Sequence, residues 1–205
     1  MRSYLQLLDL FMETTLQTEC GQLLDLLCEN IELKDFSVDR WTLIVKYKTA
    51  FYSFYLPVAL GMTLSGVTDR SAYDSAREIL LIMGVYFQAQ DDYLDAFGTE
   101  AQIGKVGTDI QDKKCGWLFV HAYNELVSAE QKAFLDKNYG KCKVKTPEER
   151  EIKDMYRTLG LPEMYAKYEE ESYKQIMALK ASSDLSQVPW AVFDVFLSKI
   201  YKRSK

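Results

Sequence analysis

Histidine occurs once, as His121, and the four cysteines (Cys20, Cys28, Cys115 and Cys142) form no Cys-x-x-Cys pair and no zinc-ligand spacing with it. No zinc motif and no Cys-His or Ser-His-Asp constellation is recognisable among these residues. The thiols read as reduced and mostly buried, as in a cytosolic protein. Ten glycines form neither a P-loop nor the dinucleotide pattern, which leaves an ATP site without support. Positive charge is also short: 25 Lys and Arg stand against 30 Asp and Glu, a net of −5. That balance argues against a polyanion-binding surface and so against nucleic acid, while leaving room for a locally basic diphosphate pocket. Asp9 and Glu13 interrupt the apolar N-terminal stretch, so no signal peptide is read there. Repeats, low-complexity segments and convincing strand alternation are missing too.

What the chain has is helical periodicity. Residues 3–28 read as one helix, with Leu5, Leu8, Met12, Leu16, Leu23 and Leu27 at helical spacings, and a polar connector, Glu29 to Lys34, follows. A second helix begins near Ser37 or Asp39, and a third runs from Ala72 to Phe97, stopping at Gly98. Thr49 to Thr68 is uncharged for 20 residues, but its Ser, Thr and Pro content favours a buried helix kinked at Pro57 over a membrane span. Ser128 to Gln131 and Thr146 to Glu149 match capping boxes, the latter with Pro147 at the first helical position. Pro162 and Pro189 open the last helices, and Lys141 to Lys145 reads as a mobile basic loop. The fold class predicted is all-α, with long helices around one core.

Polar residues interrupt three of these apolar helices. Thr18, Gln22 and Asp25 follow i, i+4, i+7 in the first; Lys48, Thr49 and Tyr52 cluster in the second. In the third, Gln88, Asp91, Asp92 and Asp95 share one stripe. Desolvated carboxylates need cations, and clustered carboxylates suit hard divalent ions with oxygen preference. Each stripe also has a plain structural reading. The acidic triplet fits a solvated face, Thr18/Gln22/Asp25 fits a hydrogen-bond network between helices, and Lys48 fits a snorkelling side chain. Three stripes together suggest a polar, metal-lined cavity within a bundle. After the third helix, Gly104-Lys105-Val106-Gly107-Thr108-Asp109 and Lys114 put ammonium groups and a further carboxylate in a turn-forming segment. That mixture suits an anionic, metal-bridged ligand such as a diphosphate.

At these residues the chain resembles the farnesyl diphosphate synthases, the eukaryotic-type short-chain trans-prenyltransferases. The resemblance rests on Thr18-Glu19-Cys20-Gly21-Gln22-Leu23-Leu24-Asp25, Lys46-Tyr47-Lys48-Thr49-Ala50-Phe51-Tyr52-Ser53-Phe54-Tyr55-Leu56-Pro57, Phe87-Gln88-Ala89-Gln90-Asp91-Asp92-Tyr93-Leu94-Asp95 and Gly104-Lys105-Val106-Gly107-Thr108-Asp109-Ile110-Gln111-Asp112. Tyr168-Glu169-Glu170-Glu171-Ser172-Tyr173 and the basic end agree as well. The resemblance implies an isoprenoid-synthase-like helical bundle, with residues 1–205 as a single, incomplete polyprenyl synthase domain lacking the family's N-terminal helices. It implies Mg²⁺ at Asp91, Asp92 and Asp95, the second aspartate-rich motif, with Asp25 and Asp109 as further metal-shell residues. Lys48 and Lys105 then contact an allylic diphosphate, Thr49 and Gln88 stand at the reacting region, and Gln22, Tyr52 and Lys114 line the substrate site. Arg203 belongs to a basic tail over isopentenyl diphosphate.

The implied activity is condensation of dimethylallyl or geranyl diphosphate with isopentenyl diphosphate in the cytoplasm. The implied assembly is a homodimer or a dimer with a full-length relative. Asp91-Asp92 is the only Asp-Asp pair in these 205 residues and no Arg-Arg pair occurs, whereas family members carry a first aspartate-rich motif followed by an arginine pair. The chain thus resembles the C-terminal half to two-thirds of such an enzyme. Two readings follow: a prenyltransferase inactive by itself, or a non-catalytic paralogue serving as a regulatory or structural dimer partner.

Overall fold

The computed structural model describes residues 2–104, 106–182 and 188–202, and every regular element among them is helical. The longer helices are α1 (Arg2–Leu27), α4 (Arg70–Phe97), α8 (Pro147–Thr158) and α9 (Leu161–Ser182). Shorter ones are α2 (Val38–Val45), α3 (Leu56–Leu64), α5 (Glu100–Ile103), α6 (Trp117–His121), α7 (Ala129–Asn138) and α10 (Ala191–Ile200). Two π-helical stretches, π1 (Lys46–Tyr55) and π2 (Ala122–Leu126), continue α2 and α6. Contacts gather these elements into two compact units, the first drawn from described residues 2–23, 44–88, 169–182 and 188–202, the second from 24–43, 89–104 and 106–168.

In the first unit, packing is closest around π1. A Cβ added to Gly21 of α1 would lie 2.2 Å from the Lys48 backbone N, and one added to Gly84 of α4 would lie 2.5 Å from Ala50 Cβ. Glycine inside a helix costs about 1 kcal/mol relative to alanine. Here it lets two helix backbones approach π1, burying Thr49, Ala50, Phe51 and Phe54. Phe54 then meets Phe87 at 5.5 Å and Phe196 of α10 at 5.7 Å between ring centres. Tyr86, fully buried, places its single O–H donor 2.5 Å from Glu169 Oε1 and 3.1 Å from the Ile200 carbonyl oxygen, fastening α4 to α9 and α10.

The uncharged run from Thr49 is therefore not one kinked α-helix. It passes from π1 into α3 at Leu56, one residue before Pro57. Proline stands in the first turn of α3, where its missing N–H is least costly. No described helix is long and apolar enough to cross a membrane.

The second unit is built on aromatic packing. Phe36, Trp117, Phe119 and Tyr156 are fully buried, with Phe119 4.1 Å from Tyr139 and 5.6 Å from Phe36 between centres. Tyr93 stacks on Tyr165 at 4.2 Å. The Glu29 to Lys34 connector is tighter than a polar loop, since it carries 3₁₀ turns at Cys28–Asn30 and Leu33–Asp35. Ser128 and Gln131 form the full capping box expected of them. The second box is half formed: the Thr146 hydroxyl accepts the Glu149 N–H, but the Glu149 carboxylate takes the N–H of Lys145 in place of that of Thr146. Lys153 Nζ adds a contact of 2.8 Å, which offsets the burial of Glu149 and holds its pKa below the ordinary value.

The leucine periodicity of α1 has a different outcome from core burial. Leu5, Leu8, Met12, Leu16, Leu23 and Leu27 are all exposed, as are Tyr4, Phe11 and Leu26. Leu16 remains 62% accessible and Met12 64%, so these nine side chains form an outward apolar stripe. The opposite side of α1, at Thr14, Gly21 and Asp25, is the buried one.

Candidate functional site

The aspartates of α4 are held by N–H donors rather than left on a solvated face. Asp92 is 8% exposed, and its Oδ2 accepts the indole N–H of Trp41 at 2.9 Å and the backbone N–H of Trp117 at 2.8 Å. Asp95, 7% exposed, accepts the N–H of Thr108 at 3.1 Å on Oδ1 and that of Asp109 at 3.0 Å on Oδ2. These four N–H donors offset part of the cost of burying two carboxylates. Gly107 is needed for the second arrangement, since a Cβ there would lie 2.0 Å from the Asp95 carbonyl oxygen. Asp91, by contrast, is half-buried beside them. The box therefore divides its labour, with Asp92 and Asp95 organising the segment that follows α4.

That segment is fastened at its far end as well. Lys113 adopts φ 51° and donates from Nζ to the carbonyls of Glu29 at 2.9 Å and Ile31 at 2.7 Å. The next residue, Lys114, places Nζ 2.6 Å from Asp25 Oδ2. Burial of Lys114 works against its charge, but Asp25, helped by Asp109 and Asp112, outweighs it and raises the lysine pKa. Asp25 is thus an ion-pair partner in this structure. Thr18 is not part of that network, because its hydroxyl bonds back to the Thr14 carbonyl at 2.8 Å, and Gln22 is exposed.

In the first unit, the Thr49 hydroxyl donates to Gln88 Oε1 at 3.0 Å, joining π1 to α4 through two of the polar residues singled out in the sequence. Lys48 is half-buried, and Tyr52 is 50% exposed. Lys105 and Arg203 lie outside the described residues. Sequence reasoning missed Trp41 and Trp117 as partners of Asp92. The signal was faint: an indole N–H is a lone donor that needs an acceptor when buried, but nothing in the spacing names that acceptor.

Among the described residues, no group of three His, Cys, Asp or Glu side chains stands ready to cage an ion. Mg²⁺ requires none, because it commonly binds through one or two carboxylates together with substrate phosphates. Asp91, with Asp92 and Asp95 ordered beside it, suits that kind of site.

Comparison with known proteins gives a consistent picture. The polyprenyl synthetase family model matches residues 1–159. The farnesyl pyrophosphate synthase of Saccharomyces cerevisiae is 47% identical over 206 residues, covering 98% of this chain and 58% of its own length. That of Gallus gallus is 46% identical, with 98% and 55% covered. A structure of T. brucei farnesyl diphosphate synthase complexed with risedronate superposes with a TM-score of 0.85 at 31% identity, over 97% of this chain and 59% of that one. The same enzyme with the bisphosphonate BPH-721 gives 0.87. The chain thus has the all-α isoprenoid-synthase fold, and it spans somewhat over half the length of these curated relatives.

Proposed function

Because the chain belongs to the polyprenyl synthetase family, we propose that it serves prenyl transfer of the farnesyl diphosphate synthase type. The reaction joins dimethylallyl or geranyl diphosphate to isopentenyl diphosphate. The observation that carries this reading is the aspartate box of α4, whose buried members Asp92 and Asp95 are ordered by neutral N–H donors beside half-buried Asp91. Clustered carboxylate oxygens of this kind suit a hard divalent ion.

In this mechanism Asp91, Asp92 and Asp95 would hold Mg²⁺, with Asp25 and Asp109 as outer support. The ion, when bound, supplies electrostatic stabilisation of charge developing on the departing diphosphate. Lys48, Lys105 and Lys114 bind phosphate oxygens through charge-assisted hydrogen bonds. Thr49 and Gln88, already bonded to each other, present polar atoms toward the developing allylic cation, while Gln22 and Tyr52 line the allylic pocket. Arg203 covers isopentenyl diphosphate, whose double bond attacks the cation; the proton then lost passes to the departing diphosphate. No protein nucleophile is required.

Asp91→Asn tests the reading better than a change at Asp92, which would leave two buried N–H donors without their acceptor. Calorimetry with a thiolodiphosphate analogue of the allylic substrate should detect Mg²⁺-dependent binding to the wild-type chain and its loss in Asp91→Asn. Equal binding by both would remove the box from the site. These 205 residues hold one Asp-Asp pair, so the chain alone should show negligible turnover. Removing one strong transition-state electrostatic contact costs roughly 10²–10³ in rate. The N-terminal segment of a relative, added back, should restore product. Binding without restored turnover would instead favour a non-catalytic dimer partner.

A further inference from the structure

Asp92 Oδ2 carries two donors, the Trp41 indole N–H at 2.9 Å and the Trp117 backbone N–H at 2.8 Å. A carboxylate oxygen has two lone pairs, so both are used and the orientation of the group is fixed. The backbone donor belongs to the chain whatever the side chain at 117. The indole is different, because it reaches Asp92 from α2, 51 residues away, and Trp41 is only 3% exposed. It is also uncharged. A lysine or arginine in its place would orient the carboxylate but cancel its charge, competing with a divalent cation for the same group. An indole N–H orients the carboxylate without adding a charge of its own.

We propose that Trp41 is a positioning residue, whose indole N–H holds Asp92 so that the aspartate box meets Mg²⁺ and diphosphate in one fixed orientation. This role rests on the reading of the box as a metal–diphosphate site. Two substitutions separate the donor from the bulk of the ring. Trp41→Phe keeps most of the apolar volume and loses the donor. Trp41→His loses the benzo ring, but its five-membered ring overlays that of the indole and places Nε2–H where Nε1–H was.

Affinity for the thiolodiphosphate analogue in Mg²⁺, measured at about pH 8 so that the new imidazole is neutral, should fall about tenfold in Trp41→Phe. In Trp41→His it should stay within about threefold of wild type. Urea midpoints should rank the other way, with Trp41→His the less stable because it leaves the larger cavity. In ¹⁵N spectra, the indole resonance that disappears in Trp41→Phe should shift when Mg²⁺ and the analogue bind. That of Trp190, bonded at 2.7 Å to Asp194 on α10, should not.

Affinities that follow the stability ranking, or a Trp41 resonance unmoved while the wild type binds, would overturn the positioning role and leave the site reading standing. No Mg²⁺-dependent binding by the wild type would overturn the site reading, and the positioning role with it.

Discussion

Lys114 Nζ lies 2.6 Å from Asp25 Oδ2 across 89 residues of sequence, tying the segment after α4 to the end of α1. Asp25 is buried and Lys114 partly so. Lys114→Met should cost about 2–3 kcal/mol in urea unfolding, less than the ~3–5 kcal/mol of a fully buried pair because water still reaches the lysine. Adding Asp25→Asn should recover part of that loss, whereas strictly additive losses would mean the two groups are uncoupled. The raised lysine pKa sets the sign of the pH effect. Its contribution is complete below the unfolded lysine value of about 10.4 and fades as pH climbs through the higher folded value.

Glu149 predicts the opposite pH limb. Its folded pKa is depressed, with burial opposed by the hydrogen bond and charge of Lys153 and by the Lys145 N–H. The stability it contributes is present above the unfolded glutamate value of about 4.3 and is lost as pH falls through the lower folded value. Glu149→Gln should therefore be about 1–2 kcal/mol less stable than wild type near neutrality. The two should converge as acid unfolding is approached. A gap that persists at low pH would assign the loss to packing.

Two glycine substitutions should move stability in opposite directions. Gly61 in α3 has open space where a Cβ would go, so Gly61→Ala should stabilise by up to about 1 kcal/mol through helix propensity. Gly21→Ala gains the same propensity but drives its methyl against the Lys48 backbone. A net loss of at least ~1–3 kcal/mol is expected from such overpacking. Denaturant midpoints of the two variants decide it, and a stable Gly21→Ala would mean that α1 and π1 can separate.

Lys48→Ala and Lys105→Ala should each weaken binding of the allylic diphosphate analogue about tenfold or more with little change in melting temperature, since charged contacts to phosphate are directional and poorly replaced by water. A lysine whose removal lowers the melting temperature and spares affinity is a structural one.

Helix existence was readable from apolar spacing, and Ser128 with Gln131 announced a helix start that the structure contains. The π geometry of Lys46–Tyr55 was not, because aromatic residues spread around the whole segment give no period that separates i+4 from i+5 bonding. The aspartates were found by their company in an apolar helix, but the division between Asp91 and its buried neighbours was hidden. It depends on donors from Trp41, Thr108, Asp109 and Trp117, and a carboxylate's acceptor capacity does not reveal which distant N–H will fill it. Periodicity likewise marked an apolar face on α1, yet it could not say whether this chain covers it. The buried face carries Thr14, Gly21 and Asp25, while the leucines face outward.

That outward stripe makes the stability of the chain a property of the solution as well as of the fold. Nine large apolar side chains on α1 stand in water, and any surface that covers them while binding only the folded form adds RT ln(1 + [L]/Kd) to the free energy of unfolding. At a hundred times Kd that term is about 2.7 kcal/mol, a sizeable share of the ~5–15 kcal/mol typical of a native domain. Melting temperature therefore follows the concentration of whatever surface is available, by mass action. Two preparations of identical sequence can differ by several degrees with no atom of either core displaced.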